Sequence, residues 1–415
     1  MRRKFAGNVL FLVFANVLVK PFWIFGIDRV VQNRVGPEAY GTYFALFNYS
    51  FLFSVFLDFG INNFNNRAIA RHPARLNTYF GNLMVLKALL ALGYFLLTLF
   101  AAMVTGFSVL HLKMLAVLAV NQCLLTYILY LRSNLTALHR FKADAVVSIS
   151  DRLLAILICS WLLFSANRYT GEGLLYGFVF AQTAALALTV VLALLLLGYQ
   201  RAFTIAWWRL RFFKAILYKA APYALLGLLM GIYYRIDGVM LERLHSAMET
   251  GLYAQSFRLL DAVNQFGYLA SIPLLPMFAS MIKKRENLWP LLRLSGWGML
   301  AFSSVAALIC WFFGDVMMGW LYPACTDYSV LIFRILMVSF IPISSVYIFG
   351  TLLTANGNLS LLNGIAVLGI IVNVGLNLVL IPMKGALGAA MATLVTQVLV
   401  GALHLYVCLR IFKRA

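Results

Sequence analysis

Apolar runs of more than 20 residues follow one another along almost the whole of this 415-residue chain, separated by short polar or basic segments. Each run is long enough to cross roughly 30 Å of hydrocarbon as a helix. A water-soluble domain could not cover so much apolar surface, because only 11% of the residues are charged where soluble domains carry about 25%. With 63% hydrophobic residues and a mean hydropathy of +0.90, the chain reads as an all-α polytopic membrane protein.

The pattern predicts twelve transmembrane helices, at 7–31, 40–65, 78–104, 112–135, 143–165, 173–198, 220–243, 250–280, 291–314, 327–353, 359–382 and 386–409. Met1-Arg2-Arg3-Lys4 ahead of the first run resembles the start of a signal peptide, but no small-residue cleavage site follows, so the run reads as a retained span. Nineteen basic residues fall in the loops of one side, among them Arg67, Arg71, Arg140, Lys142, Lys283, Lys284 and Arg285, against five on the other (Arg34, Lys113, Arg168, Arg243 and Lys384). The positive-inside rule then places both termini in the cytoplasm. The formal charge of +20 is spent on topology in small scattered groups, and no nucleic-acid partner is expected. The basic, Trp-bearing segment 200–219 reads as an amphipathic cytoplasmic linker between an N-terminal six-helix lobe, 1–199, and a C-terminal one, 220–415. Five cysteines without paired spacing suggest neither a disulfide framework nor a metal site, and no cofactor is expected.

The two halves share a pattern. Ile27-Asp28-Arg29-Val30 precedes Gly41-Thr42-Tyr43-Phe44 as Ile236-Asp237-Gly238-Val239 precedes Gly251-Leu252-Tyr253-Ala254. Leu135-Thr136-Ala137 matches Leu353-Thr354-Ala355, and Gly173-Leu174-Leu175-Tyr176-Gly177 resembles Gly385-Ala386-Leu387-Gly388-Ala389. An even number of spans per half makes this a parallel repeat.

Three pieces in order carry a family resemblance: Arg34-Val35-Gly36-Pro37-Glu38-Ala39-Tyr40-Gly41, then Phe56-Leu57-Asp58-Phe59-Gly60-Ile61, then Asn66-Arg67-Ala68-Ile69-Ala70-Arg71. They resemble the N-terminal signature of polysaccharide flippases, the Wzx-type members of the multidrug/oligosaccharidyl-lipid/polysaccharide exporter superfamily. Gly251-Leu252-Tyr253, Pro273 with Pro276, and Gly385 to Ala390 extend the resemblance over essentially the whole chain. It implies two six-helix lobes forming a V-shaped central cavity. It also implies movement of lipid-linked oligosaccharide such as O-antigen across the bacterial cytoplasmic (inner) membrane by alternating access. Membrane lipids, a polysaccharide polymerase and a chain-length protein are then the expected partners.

Charged residues inside apolar helices cost roughly 2.5 to 3.5 kcal/mol each on insertion scales, so they face protein or a water-filled cavity. Lys20, Arg152 and Arg235 fall near mid-membrane, Arg258 and Arg334 in outer halves of spans, and Arg29 near a span end. A polyprenyl-pyrophosphate head is anionic, and arginine forks suit phosphate oxygens. Those six residues are therefore the candidate anion ligands; structural pairing is the alternative, Arg258 and Asp261 being three apart on one helical face. Asp28, Asp58, Asp237 and Asp261 are candidates for coupling to H+ or Na+, or for holding a gate. Pro21 removes a backbone hydrogen bond inside span one and is the candidate hinge.

Two other classes compete with this reading. A cation-coupled multidrug antiporter of the same superfamily would share the fold, but it would want buried acids rather than deep bases. A membrane enzyme such as a polymerase or ligase would need a large outer loop with catalytic groups. Here His72, His111, His139 and His245 are scattered over loops and His404 is alone in span twelve, so the chain reads as a transporter and not an enzyme.

Overall fold

Helix is the only extended regular structure among the residues described in this computed structural model, which are 19, 21–62, 65–66, 69, 76–165, 171–198, 228–229 and 231–412. Lys20 and the linker 200–219 lie outside them. In hydrocarbon each backbone N–H and C=O must be satisfied within its own segment, and the helix does this for any apolar sequence.

A π-helical turn, Trp23–Asp28, leads into α1, Arg29–Leu52. Then follow α2, Leu76–Val104; α3, Val109–Ala137; α4, Phe141–Ser165; and α5, Glu172–Leu197. The second half holds α6 at 231–244; α7, Ala247–Ser271; α8, Leu274–Lys284; α9, Trp289–Leu321; α10, Asp327–Ala355; and α11, Leu359–Phe412. Eight helices among the described residues are long and apolar enough to cross a membrane, α7 and α8 counting together as Ala247–Lys284.

Two of the helices, α1 and α11, are each two helices joined end to end. Pro37 drives the residue before it out of the α region, and Gly36 takes φ 83°, ψ 165°, so α1 is broken there. The 54 residues of α11 would run to about 80 Å if straight, against roughly 30 Å of hydrocarbon. Gly385, at φ 56°, ψ −131°, divides them into two limbs of one span each. A β-carbon on Gly388 would overlap the carbonyl of Leu380, so a glycine is required where the limbs leave the turn side by side.

Span two, expected as one helix over 40–65, instead ends at Leu52. A 3-10 turn, Ser54–Leu57, follows, and Phe59 and Gly60 both take positive φ. Span eight is likewise split at Ile272-Pro273, since Pro273 offers no N–H to continue α7.

The chain forms two compact units. Unit 1 comprises Met1–Val35 and Leu46–Gly231; unit 2 comprises Gly36–Ala45 and Ile232–Ala415. Unit 1 is centred on a cluster drawn from α2 to α5, including Leu76, Phe80, Leu83, Leu131, Leu135 and Val147. In unit 2, α10 packs against α7, α9 and α11.

The repeat is visible in backbone detail. α3 and α10 are both 29 residues long. Ser108 accepts from the N–H of His111 at the start of one, as Thr326 accepts from that of Ser329 at the start of the other. Both end in the same three bonds: Leu138, His139 and Arg140 donate to Asn134, Thr136 and Leu135, as Asn356, Gly357 and Asn358 donate to Leu352, Thr354 and Leu353. The third correspondence needs a correction. Gly171, with φ 59°, ψ −132°, has the backbone of Gly385, so the true mate of Gly385 lies two residues earlier than the sequence pairing with Gly173.

Candidate functional site

The break at the end of α1 builds the first ionic cluster of unit 1. A helix that stops inside an apolar layer leaves carbonyls without N–H partners and a partial negative charge at its end. Tyr94 donates to the carbonyl of Ser50 at 2.7 Å. Lys87 Nζ reaches the carbonyl of Leu57 at 3.3 Å and Asp58 Oδ1 at 2.8 Å. Asp58 also accepts from the N–H of Asn62 at 3.3 Å. Both bonds fall on Oδ1, which is thus engaged in anchoring the turn.

Asp28, at the end of the π-helical turn, is 2% exposed and accepts from Gln32 Nε2 at 3.3 Å. Pro21 lies two residues before that turn. The Arg152 guanidinium lies 5.4 Å from the ring of Trp23, which stacks on Phe178, and its Nε is 3.7 Å from Asp151. Arg34 closes the end of α4 by donating to the carbonyl of Leu163 at 2.9 Å. Arg29 sits in the first turn of α1, half-buried.

Unit 2 holds the remaining candidates. Repeat mates Gly41 and Gly251 cross backbone to backbone: a β-carbon on Gly41 would overlap Ala247, and one on Gly251 would overlap Pro37. That approach brings the rings of the Gly36–Ala45 segment onto α7. Arg258 Nε donates to the Tyr40 hydroxyl at 3.2 Å, its guanidinium lies 5.3 Å from the Phe44 ring, and Phe44 meets Phe257 edge to face. Asp261 sits 4.0 Å from Arg235 Nη1, rather than pairing with Arg258 along the helix. Arg334 donates to Asp315 Oδ2 at 2.6 Å and to the carbonyl of Trp311 at 2.8 Å.

Asp237 is the most enclosed of the candidate carboxylates of unit 2, at 6% exposed. Thr393 donates to Oδ2 at 2.7 Å and Tyr253 to the same oxygen at 3.2 Å. Asn377 Nδ2 donates to Oδ1 at 2.6 Å and to Asn373 Oδ1 at 3.1 Å. Among the described residues no Lys or Arg is paired with it. Asn377 Oδ1 is buried and has no hydrogen-bond partner among the described residues. One carboxylate, a threonine hydroxyl and two asparagine carbonyls, brought together from α6 and both limbs of α11, form an oxygen-rich cluster whose donor chemistry suits a proton or a hard monovalent cation. Among the described residues no group of three or more His, Cys, Asp or Glu could hold a metal ion.

Sequence reasoning missed Tyr253, Asn373, Asn377 and Thr393 as members of this cluster. A signal was available. Asn373 and Asn377 are four apart in an apolar span, so they share a helical face, and polar side chains there need partners. It also missed Lys87 as the partner of Asp58.

A family model described as polysaccharide biosynthesis protein matches residues 5–283. The uncharacterized membrane protein MJ1375 of Methanocaldococcus jannaschii is 24% identical over 398 residues, covering 91% of this chain and 92% of the relative. Among solved structures, an inward-facing multidrug resistance MATE family transporter of the MOP superfamily is similar with a TM-score of 0.74 at 13% identity, over 97% of this chain and 99% of that one. The lipid II flippase MurJ in an inward closed conformation gives 0.70 at 13% identity, over 97% and 87%. A MOP superfamily transporter from Pyrococcus furiosus gives 0.66 at 12%, over 98% and 96%.

Proposed function

This chain belongs to the polysaccharide biosynthesis protein family, and from that premise we propose that it carries a polyprenyl-pyrophosphate-linked oligosaccharide from the inner to the outer leaflet of the cytoplasmic membrane. Transport runs by alternating access, the termini are cytoplasmic, and the substrate is handed to a polymerase. The family supports the glycan, and a fold shared with transporters and a flippase supports the movement.

The single observation that carries ion coupling is the Asp237 cluster, where a carboxylate buried in unit 2 is held, among the described residues, by neutral groups. A charge there is stabilised by H+ or Na+ and not by a fixed base, so occupancy of the cluster is free to change during a transport cycle. Asp58 is less suited to that role, because Lys87 already neutralises it. For the anionic head, Arg235 and Arg258 remain the leading ligands, on adjacent helices with aromatic neighbours. Lys20, Arg29 and Arg152 are the candidates of unit 1, and Arg334 is the least suited because Asp315 occupies its fork.

The test is complementation in cells lacking the native gene. Arg235→Ala and Arg258→Ala are expected to lower surface glycan and to leave lipid-linked oligosaccharide accumulating on the cytoplasmic side, with the protein normally inserted. Normal glycan assembly in both variants would overturn the anion assignment. The fold likeness to a multidrug transporter supports a second reading, antiport of organic cations; drug efflux that depends on Asp237 and is indifferent to both arginines would establish it instead.

A further inference from the structure

An apolar groove opens within unit 2, on the surface formed by the start of α9, the middle of α10 and the end of α11. Its volume is about 410 Å³, in the range of a ligand pocket. Leu292, Met299, Ile348, Phe349 and Leu405 supply its walls, and Trp289, Arg293 and Trp297 stand at one end. Trp297 is 70% exposed, Leu405 41% and Leu409 37%, so this is a lateral face of the unit. No residue of α7 or of Gly36–Ala45 contributes to it, which separates it from the Arg258 and Asp237 clusters.

The end with the tryptophans is also the basic end. Arg293 lies 6.0 Å from the Trp289 ring, and among the described residues no carboxylate is paired with it. Arg410 follows the lining residue Leu409, and Lys283 and Lys284 close α8 just before α9 begins. The acid of that stretch, Glu286, is 3.6 Å from Lys284. Tryptophans mark headgroup depth in a bilayer, and bases at the same depth attract anionic lipid.

We propose that this groove holds one anionic phospholipid of the surrounding leaflet, an acyl chain lying between α9, α10 and α11 and the phosphate on Arg293. A single arginine at the mouth suits one phosphate with no glycan attached, and a lateral opening admits lipid directly from the membrane. The site is independent of the transport reading, because its readout is binding.

The purified full chain is tested by native mass spectrometry after exchange into detergent with equal phosphatidylglycerol and phosphatidylcholine. The wild type is expected to retain phosphatidylglycerol about tenfold over phosphatidylcholine. Arg293→Gln should abolish the preference while still binding both lipids weakly. Gly296→Leu should exclude lipid from the groove; Gly296 has open space where a β-carbon would project, so this variant is expected to fold, as its thermal unfolding will report. Equal retention of the two lipids by the wild type, unchanged retention in both variants, or displacement of phosphatidylglycerol by undecaprenyl phosphate at equal concentration would each overturn the proposal.

Discussion

Lys87 places its ammonium 2.8 Å from Asp58 Oδ1 and 3.3 Å from the carbonyl of Leu57, so a single side chain of α2 closes both the charge and the open backbone left by the break after α1. The lysine is 1% exposed. Removing Asp58 strands the buried lysine, at a cost of about 3–5 kcal/mol; removing Lys87 strands a carboxylate that is 29% exposed, and should cost less. Asp58→Asn alone is expected to lower the unfolding temperature in detergent strongly, and Lys87→Met alone to lower it by less. The double variant should recover much of the loss, because two neutral groups then share the space. Additive losses would show that the two side chains act separately.

Gly41 and Gly251 are the second test. Each faces backbone where a methyl would go, so no rotamer change relieves the overlap. Gly41→Ala and Gly251→Ala are expected to reduce accumulation of folded protein several-fold, measured by fluorescence-detected size exclusion. Gly93→Ala is the control, since Gly93 lies inside α2 with nothing within 4 Å. It should be neutral or stabilising by roughly 0.5–1 kcal/mol, the usual difference between the two residues in a helix.

Glu249 ties the start of α7 to the turn inside α11. Its Oε2 accepts from the Tyr328 hydroxyl and from the N–H of Ala386, both at 2.7 Å, and so caps the second limb of α11. Glu249→Ala leaves that N–H without its acceptor and is expected to cost about 1–3 kcal/mol. Glu249→Gln keeps an acceptor and should lose less. Thermal unfolding of the two variants side by side decides it.

Much of this was legible in residues whose chemistry is local. Gly36-Pro37 announces a break because proline restricts its predecessor and only glycine accepts the resulting φ. The break over 54–60 was not legible, because the apolar run over 40–65 reads as one continuous helix through it. The pairings were not legible. Arg258 and Asp261 share a helical face, yet Asp261 lies against Arg235 of α6 and Arg258 reaches Tyr40. Helical spacing says which groups can meet along one helix, not which helix comes closer. The Asp237 cluster is likewise assembled across 156 residues of chain, from Asp237 to Thr393, and periodicity carries no information about that distance.

Topology has its own test in a native cysteine. Cys325 lies in the turn between α9 and α10 and is half-exposed, while Cys159, Cys310 and Cys408 are buried. A membrane-impermeant maleimide is expected to label Cys325 in intact cells. In a Cys325→Ser background, Lys283→Cys at the basic end should be labelled only after permeabilisation. The opposite pattern would invert the orientation given by the positive-inside rule.

Asp237 offers the sharpest test of coupling. Asparagine has nearly the same shape, and the hydroxyls of Tyr253 and Thr393 can turn to serve either as donors or as acceptors. Asp237→Asn is therefore expected to fold, and to remove only the charge on which a bound cation depends. If the cluster takes Na+, the wild type should unfold at higher temperature in NaCl than in choline chloride of equal ionic strength. A site filled to a hundred times its dissociation constant adds about 2.7 kcal/mol. Asp237→Asn should abolish that difference, and Asn377→Leu should weaken it by removing a carbonyl oxygen. Glycan assembly should fall in parallel in cells. A stability that ignores Na+ but follows pH in the wild type, and loses that dependence in Asp237→Asn, would identify the proton as the coupling ion. A stability indifferent to both would make Asp237 a fixed polar tie between α6 and α11.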